Sequence, residues 1–278
     1  MKRTKNIRKK IRKKRQKKKD KQEGPKKPVE PDNRTILERI KNRKRKGPLY
    51  MPFIDSTIYS MDEIEKITRN IEKSMADMIV LGGILNVETN YFNRVIKKIK
   101  EITHLPIVIL PSNAGMISRH ADAIFFISLL NSRNPYWITG SQALSAPSVY
   151  ASGIEVIPTS YLVVEPGGTS SWVGDANPLP RDKLEIVKAY AVYSELSGKE
   201  MICLDTGMVN SRIPEKIIKT VKENTDIPLA FYGGVRTLKD ISKLASAGAD
   251  VIITSTVIQK HKKGRRLRHL ITMRKKRK

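Results

Sequence analysis

The stretch PLAFYGGVRTLKDISKLASAGADVIITSTVI, residues 228–258, contains the unit from which the fold can be read. PLAFY (228–232) is a short apolar run without alternation, the pattern of a strand buried on both faces. Gly233 and Gly234 break the run, and the residues around Leu238, Ile241 and Leu244 then recur at helical spacing. A second buried run, VIIT (251–254), closes the stretch. A strand, a helix and a strand in this order form a βαβ unit, whose two parallel strands need helices on their outer face.

Upstream the same alternation repeats. The runs LYMPFI (49–54), MIVL (78–81), PIVIL (106–110), AIFFIS (123–128), YLVV (161–164) and MICL (201–204) precede it, so the chain has eight buried strands. Ile64, Ile67 and Ile71, and later Ile217 and Val221, supply helical spacing between them. Eight such units predict an α/β protein, a parallel TIM (β/α)8 barrel. One connection departs from this. Only Pro111–Asp122 lies between the third and fourth runs, barely the dozen residues that a parallel crossover requires, so the third helix is expected to be short or missing.

Charge divides the chain into three. Residues 1–33 carry 16 Lys and Arg against 4 Asp and Glu, residues 34–259 carry 27 against 23, and residues 260–278 carry 11 against none. The tails thus supply +12 and +11 of the net +27. Three segments are predicted: a basic extension and linker (1–33), the barrel (34–259) and a basic tail (260–278). Residues 2–22 are too polar to fold alone, and GPKKPVEPD (24–32) reads as a Pro-rich linker. Thr35 and Glu38 fit a capping box that opens a short basic helix through Lys46. The lone Cys203 excludes an intrachain disulfide framework, and no apolar run reaches a membrane span, so a cytoplasmic protein is expected.

In such barrels the chemistry sits at the C-terminal ends of strands. The residues there are Asp55, Gly82 and Gly83, Ser112 and Asn113, Asn131, Glu165 with Gly167 and Gly168, Asp205 with Gly207, Gly233 and Gly234, and Ser255 with Thr256. Glycines after the last two strands suit backbone amides approaching a phosphate, although tight turns use glycine too. Asp55 suits either a metal or the N-cap of a helix over Met61–Ser74. Asn131, Arg133 and Asn134 fit a ligand pocket, a dimer contact or a plain loop, and Trp172 is expected to pack beneath its loop.

The segments AIFFISLLNSRNPYWITGSQALSAP (123–147) and YLVVEPGGTSSWVGDANPLPRDK (161–183) resemble the geranylgeranylglyceryl phosphate synthases and their bacterial heptaprenyl relatives, with 232–258 as a general phosphate-barrel signature. The resemblance runs from about Ile36 to Gln259. It implies a modified barrel lacking the third helix, and transfer of a polyprenyl group from its diphosphate to the 3-hydroxyl of glycerol 1-phosphate with Mg2+. It further implies Glu165 as general base, Tyr161 and Gly167 placing the glycerol phosphate, Asp55 at the metal, and Gly207, Gly233, Gly234, Ser255 and Thr256 around phosphate.

The departures from the family pattern fall on the same loops. Asp55-Ser56-Thr57 keeps one carboxylate where the family has two, and Gly82-Gly83-Ile84 replaces a serine. Asp205-Thr206-Gly207-Met208-Val209 stands for Glu-Ala-Gly-Ser-Gly, Tyr232 replaces a glycine, and so does Ser255. A left-handed backbone at Ser255 would cost about 1–2 kcal/mol. These changes predict weakened or lost catalysis.

The tails then predict a different partner. Lys9, Lys10, Arg12, Lys13, Lys14, Arg15, Lys17, Lys18 and Lys19 form one cationic arm. Arg265, Arg266, Arg268, Arg274, Lys275, Lys276 and Arg277 form the other. Such arms suit the phosphates of structured RNA, and ribosomal RNA or the ribosome is the expected partner. The alternative is an active Mg2+-dependent prenyltransferase of archaeal membrane lipid synthesis whose tails sit on an anionic membrane. A homo-oligomer stays open.

Overall fold

The computed structural model describes residues 34–42, 47–74, 76–83, 87–207 and 214–255. The expectations for the cationic arms, and that for Thr256, lie outside these residues. The strands are β1 Leu49–Asp55, β2 Ile79–Gly82, β3 Ile107–Leu110, β4 Ala123–Leu129, β5 Glu155–Val163, β6 Met201–Asp205, β7 Leu229–Tyr232 and β8 Val251–Thr254. They pair in sequence order, all parallel, and β8 returns to β1, closing the barrel. The helices are α1 Ile36–Lys41, α2 Met61–Ser74, α3 Thr89–Ile102, α4 Ser141–Ser152, α5 Gly168–Val173, α6 Leu184–Leu196, α7 Glu215–Asn224 and α8 Leu238–Ala247. A π-helical turn, Tyr136–Gly140, leads into α4. No helix among the described residues is long and apolar enough to cross a membrane.

Successive strand residues point to opposite faces, and here both faces are buried. Met51, Phe53, Met78, Val80, Val108 and Phe125 fill the barrel interior. Tyr50, Ile54, Ile79, Leu81, Ile107 and Ile109 meet the helical layer, including Ile64, Ile71, Ile217 and Val221. The connection from β3 to β4 contains turns and no helix, as its length required.

β5 is longer than the apolar run YLVV suggested, for it starts at Glu155. Its first half carries Pro158, which weakens the strand signal, and Glu155 and Thr159, which interrupt the apolar run. Pro158 is accommodated because pairing with β6 begins only at Thr159, so its missing N–H falls beyond that ladder.

The early start has a structural use. The Glu155 carboxylate accepts the N–H groups of Ile36 and Leu37 at 2.6 and 2.7 Å, so it caps α1 alongside the Thr35/Glu38 capping box. Ile36 and Ile40 thereby join the interior cluster next to Leu49 and Met51, closing the N-terminal end of the barrel. Glu155→Ala is expected to cost about 1–2 kcal/mol, because two donors lose a charged acceptor at a helix N-terminus. A urea midpoint equal to the wild type's would show that α1 docks without this contact.

Candidate active site

Strand parity sends Asp55 of β1, Tyr161 of β5, Asp205 of β6 and Tyr232 of β7 toward the C-terminal mouth of the barrel. Asp205 is fully buried and takes three donors. Its Oδ2 accepts the hydroxyls of Tyr161 at 2.7 Å and Ser170 at 2.5 Å, and its Oδ1 accepts the Gly207 N–H at 2.7 Å. Burial raises the Asp205 pKa above 3.8, against the pull of those donors. The same burial, with the Asp205 charge, raises that of Tyr161, so its phenol stays protonated and donates. Asp205 thus ties β5, β6 and α5 together. Its importance was partly legible, since it ends an apolar run, but its partners come from two other segments.

Asp55 is also buried, and it does not cap a helix. Its Oδ1 accepts the Thr57 N–H at 2.9 Å and the Thr57 hydroxyl at 2.5 Å. Ser60 and Glu63 instead cap α2 reciprocally. Asp55 Oδ2 is left buried with no hydrogen-bond partner. A buried carboxylate oxygen without a donor suits a cation, and Mg2+ needs only one or two protein carboxylates when substrate phosphates complete its shell. Among the described residues there is no group of three His, Cys, Asp or Glu that could hold a metal alone.

Glycines from successive loops stack around the mouth. Gly207 has φ +70°, and a Cβ there would lie 2.6 Å from the Gly167 carbonyl oxygen. A Cβ on Gly233 would lie 2.5 Å from the Gly207 oxygen. The Gly207 N–H goes to Asp205 and the Gly167 N–H to Val164, so both glycines provide close approach at the mouth with their own donors already engaged. Gly207→Ala is expected to cost about 3 kcal/mol, from the left-handed backbone and the collision together. Gly198→Ala, at φ +71° with open space around it, should cost only the backbone part, about 1 kcal/mol. Equal losses in thermal unfolding would remove the collision from the account.

Gly233, Gly234, Arg236 and Ser255 line a small, largely polar recess. Asp175 is the non-glycine residue with positive φ among those described, so Ser255 carries no left-handed strain. Tyr232, the residue before Gly233 of this recess, lines an apolar cavity of about 150 Å³, so the two meet at the end of β7. The cavity runs from Tyr161, Ser170 and Tyr232 at the mouth past Leu129 and Trp137 to Ile117, Ile124 and Val149, in the space left open by the helix missing after β3. Glu165 is exposed on the rim. Its Oε2 accepts the Arg181 N–H at 3.2 Å, and its backbone oxygen accepts Arg181 Nε at 2.7 Å.

Asn131 proves structural. Its side chain bonds the backbones of Val163 and Asn177, locking the loop after β4 to that after β5. Asn134 Oδ1 accepts the Tyr136 N–H, starting the π-helical turn. Trp172 does not pack beneath its loop, being 85% exposed. Ser170 and Tyr232 were not singled out as site residues from the sequence. The signal for Tyr232 was its inward parity at the end of β7, whereas Ser170 lies in a short helix with no periodicity to orient it.

Comparison with known proteins gives a consistent result. The model of the PcrB family matches residues 41–273. The geranylgeranylglyceryl phosphate synthase of Methanosphaera stadtmanae is 42% identical over 81% of this chain and 90% of its own length. That of Pyrococcus horikoshii is 42% identical over 82% and 90%. Among solved structures, (S)-3-O-geranylgeranylglyceryl phosphate synthase from Thermoplasma acidophilum, in complex with substrate sn-glycerol-1-phosphate, superposes with a TM-score of 0.80 at 33% identity, covering 87% of this chain and 98% of that one.

Proposed function

We propose that this chain, which belongs to the PcrB family, transfers a polyprenyl group, geranylgeranyl or a close homologue, from its diphosphate to the 3-hydroxyl of glycerol 1-phosphate. The observation that carries this reading is the adjacency at one rim of an apolar cavity and a polar recess framed by Gly233, Gly234, Arg236 and Ser255. An amphipathic donor needs the first and a phosphate the second.

In the reaction the bond between prenyl C1 and the diphosphate oxygen breaks, the glycerol oxygen bonds C1, and the hydroxyl proton passes to Glu165. A carboxylate fixed on the rim through Arg181 can accept that proton as C–O bonding develops. Tyr161, immobilised by Asp205, orients the glycerol phosphate. Asp55, with its unpartnered Oδ2, would hold Mg2+, which when bound neutralises the leaving diphosphate. The altered loops bear on rate and affinity more than on reaction class: Asp205 is satisfied by its three donors, and Ser255 is unstrained.

The test is consumption of labelled geranylgeranyl diphosphate with glycerol 1-phosphate and Mg2+ by the full chain. Formation of the ether product supports the reading, and no product at any chain length sinks it. A second reading, that the cationic arms hold ribosomal RNA, rests on their charge. Nuclease-sensitive comigration with ribosomal particles on a density gradient would support it, and recovery away from them would remove it.

A further inference from the structure

Tyrosines Tyr50, Tyr161 and Tyr232 lie buried in the barrel strands, and the first two have paired hydroxyls. Tyr50 bonds Thr254 at 3.0 Å, and Tyr161 bonds Asp205 at 2.7 Å. Tyr232, the last residue of β7, is 6% exposed, and its hydroxyl has no hydrogen-bond partner among the described residues. A buried phenol normally finds an acceptor, so this one is left for something that enters the mouth.

The ring itself is firmly seated. It packs against Phe53 with centroids 5.2 Å apart, and Phe53 is held in turn by Gly82, where a Cβ would come within 2.7 Å of the Phe53 ring. The Tyr232 backbone oxygen accepts the Thr206 N–H at 3.3 Å. Gly233, the next residue, sits so close to Asp205 that a Cβ would lie 2.8 Å from its Oδ1. Packing thus fixes the side chain and leaves its hydroxyl uncommitted. Burial, reinforced by the Asp205 charge, raises the Tyr232 pKa, so the phenol keeps its proton and serves as a donor.

We infer that the Tyr232 hydroxyl donates a hydrogen bond to a diphosphate oxygen of the prenyl donor, fixing the head group where its chain enters the cavity. This rests on the prenyl-transfer reading. Two observations favour the diphosphate over the phosphate of glycerol 1-phosphate. Tyr232 lines the apolar cavity, whereas the polar recess begins one residue later at Gly233. Its ring also packs on Phe53 of β1, the strand that ends in Asp55, the proposed holder of the Mg2+ that meets the same diphosphate. As the bond to C1 breaks, negative charge grows on the diphosphate, and a donor already fixed there stabilises it without reorganising. The phenol keeps its proton throughout.

Tyr232→Phe removes the hydroxyl and keeps the ring on Phe53, so the melting temperature should match the wild type's. Binding is measured on the full chain with Mg2+ and geranylgeranyl thiolodiphosphate, whose C–S bond resists cleavage. Tryptophan emission reports the cavity, because Trp137 lines it, Trp172 adjoins Val173 of its lining, and neither arm contains tryptophan. The arms are the same in both proteins, so their attraction for anions cancels in the comparison. The Kd should rise about 10–100-fold in Tyr232→Phe, the range for a hydrogen bond to a charged group. Geranylgeraniol, with the same chain and no phosphate, should bind both proteins alike.

Equal Kd values for the thiolodiphosphate would overturn the inference and leave Tyr232 as packing. So would an equal loss with geranylgeraniol, which would mean a changed cavity, or an effect confined to the KM for glycerol 1-phosphate. Ether product from the wild type alongside equal Kd values would remove the inference and keep the reaction. A raised Kd in a protein that makes no product would do the reverse, and a wild type that does not bind the thiolodiphosphate would remove both.

Discussion

If the proposed reaction holds, Glu165→Gln is expected to lower turnover of prenyl diphosphate by about 10²–10⁴-fold, the range for loss of a general base, while leaving the KM for glycerol 1-phosphate within about threefold. The substitution is close to silent structurally. Gln keeps an oxygen that can accept the Arg181 N–H, and the second contact, from Arg181 Nε, reaches the backbone oxygen and does not depend on the side chain. Its melting temperature should therefore match the wild type's. Rates within a factor of three of the wild type would show that another group takes the proton. A large loss confined to KM would recast Glu165 as a binding residue.

Asp205→Asn has the next largest expected effect, and it falls on stability as well as rate. Three donors converge on the two carboxylate oxygens. Asn offers one acceptor oxygen, so its amide must face either the Gly207 N–H or the two hydroxyls. Leaving one buried donor unsatisfied costs about 1–3 kcal/mol. Tyr161 loses its anchor at the same time, so the KM for glycerol 1-phosphate should rise several-fold. Tyr161→Phe in the Asp205→Asn background should then add little, because the two act as one unit.

The pH dependence gives this prediction a sign. Burial raises the Asp205 pKa above its ordinary 3.8, so the group's stabilising contribution is complete below that value and is lost as pH rises through the native pKa. Asn does not titrate. The gap in melting temperature between wild type and Asp205→Asn should narrow as pH increases from about 4. A gap that widens over that range would mean that the three donors outweigh burial.

Periodicity made the scaffold legible because strands buried on both faces leave continuous apolar runs, and seven of the eight were bounded within a residue or so. β5 was the exception, since Pro158 and two hydroxyl residues sit in a strand whose burial is only partial at its start. The short connection after β3 was readable from length alone, and it is what leaves room for the apolar cavity.

Chemistry was legible where a residue's type is itself unusual. Asp55 and Glu165 are carboxylates ending apolar runs, and sequence suffices to single them out. Their environments are not local. That Asp55 does not cap α2 was decided by Ser60 and Glu63, which cap it reciprocally, and only the fold shows that its Oδ2 is left without a donor. The same applies to Gly207 and Gly167, whose backbone donors proved to be engaged elsewhere.

Sequence by itself determined the barrel, the missing third helix, the charge division into a near-neutral body and two cationic arms, and the carboxylates at the strand ends. Those follow from hydrophobic period, segment length and residue type, which are properties of neighbours along the chain. Tertiary structure alone decided that Asp205 holds Tyr161 and Ser170, that Asn131 is a brace and that Trp172 stands in solvent on the cavity's rim. Each depends on contacts between residues 30 or more positions apart, or on their absence, and barrel closure is what brings those positions to a common end.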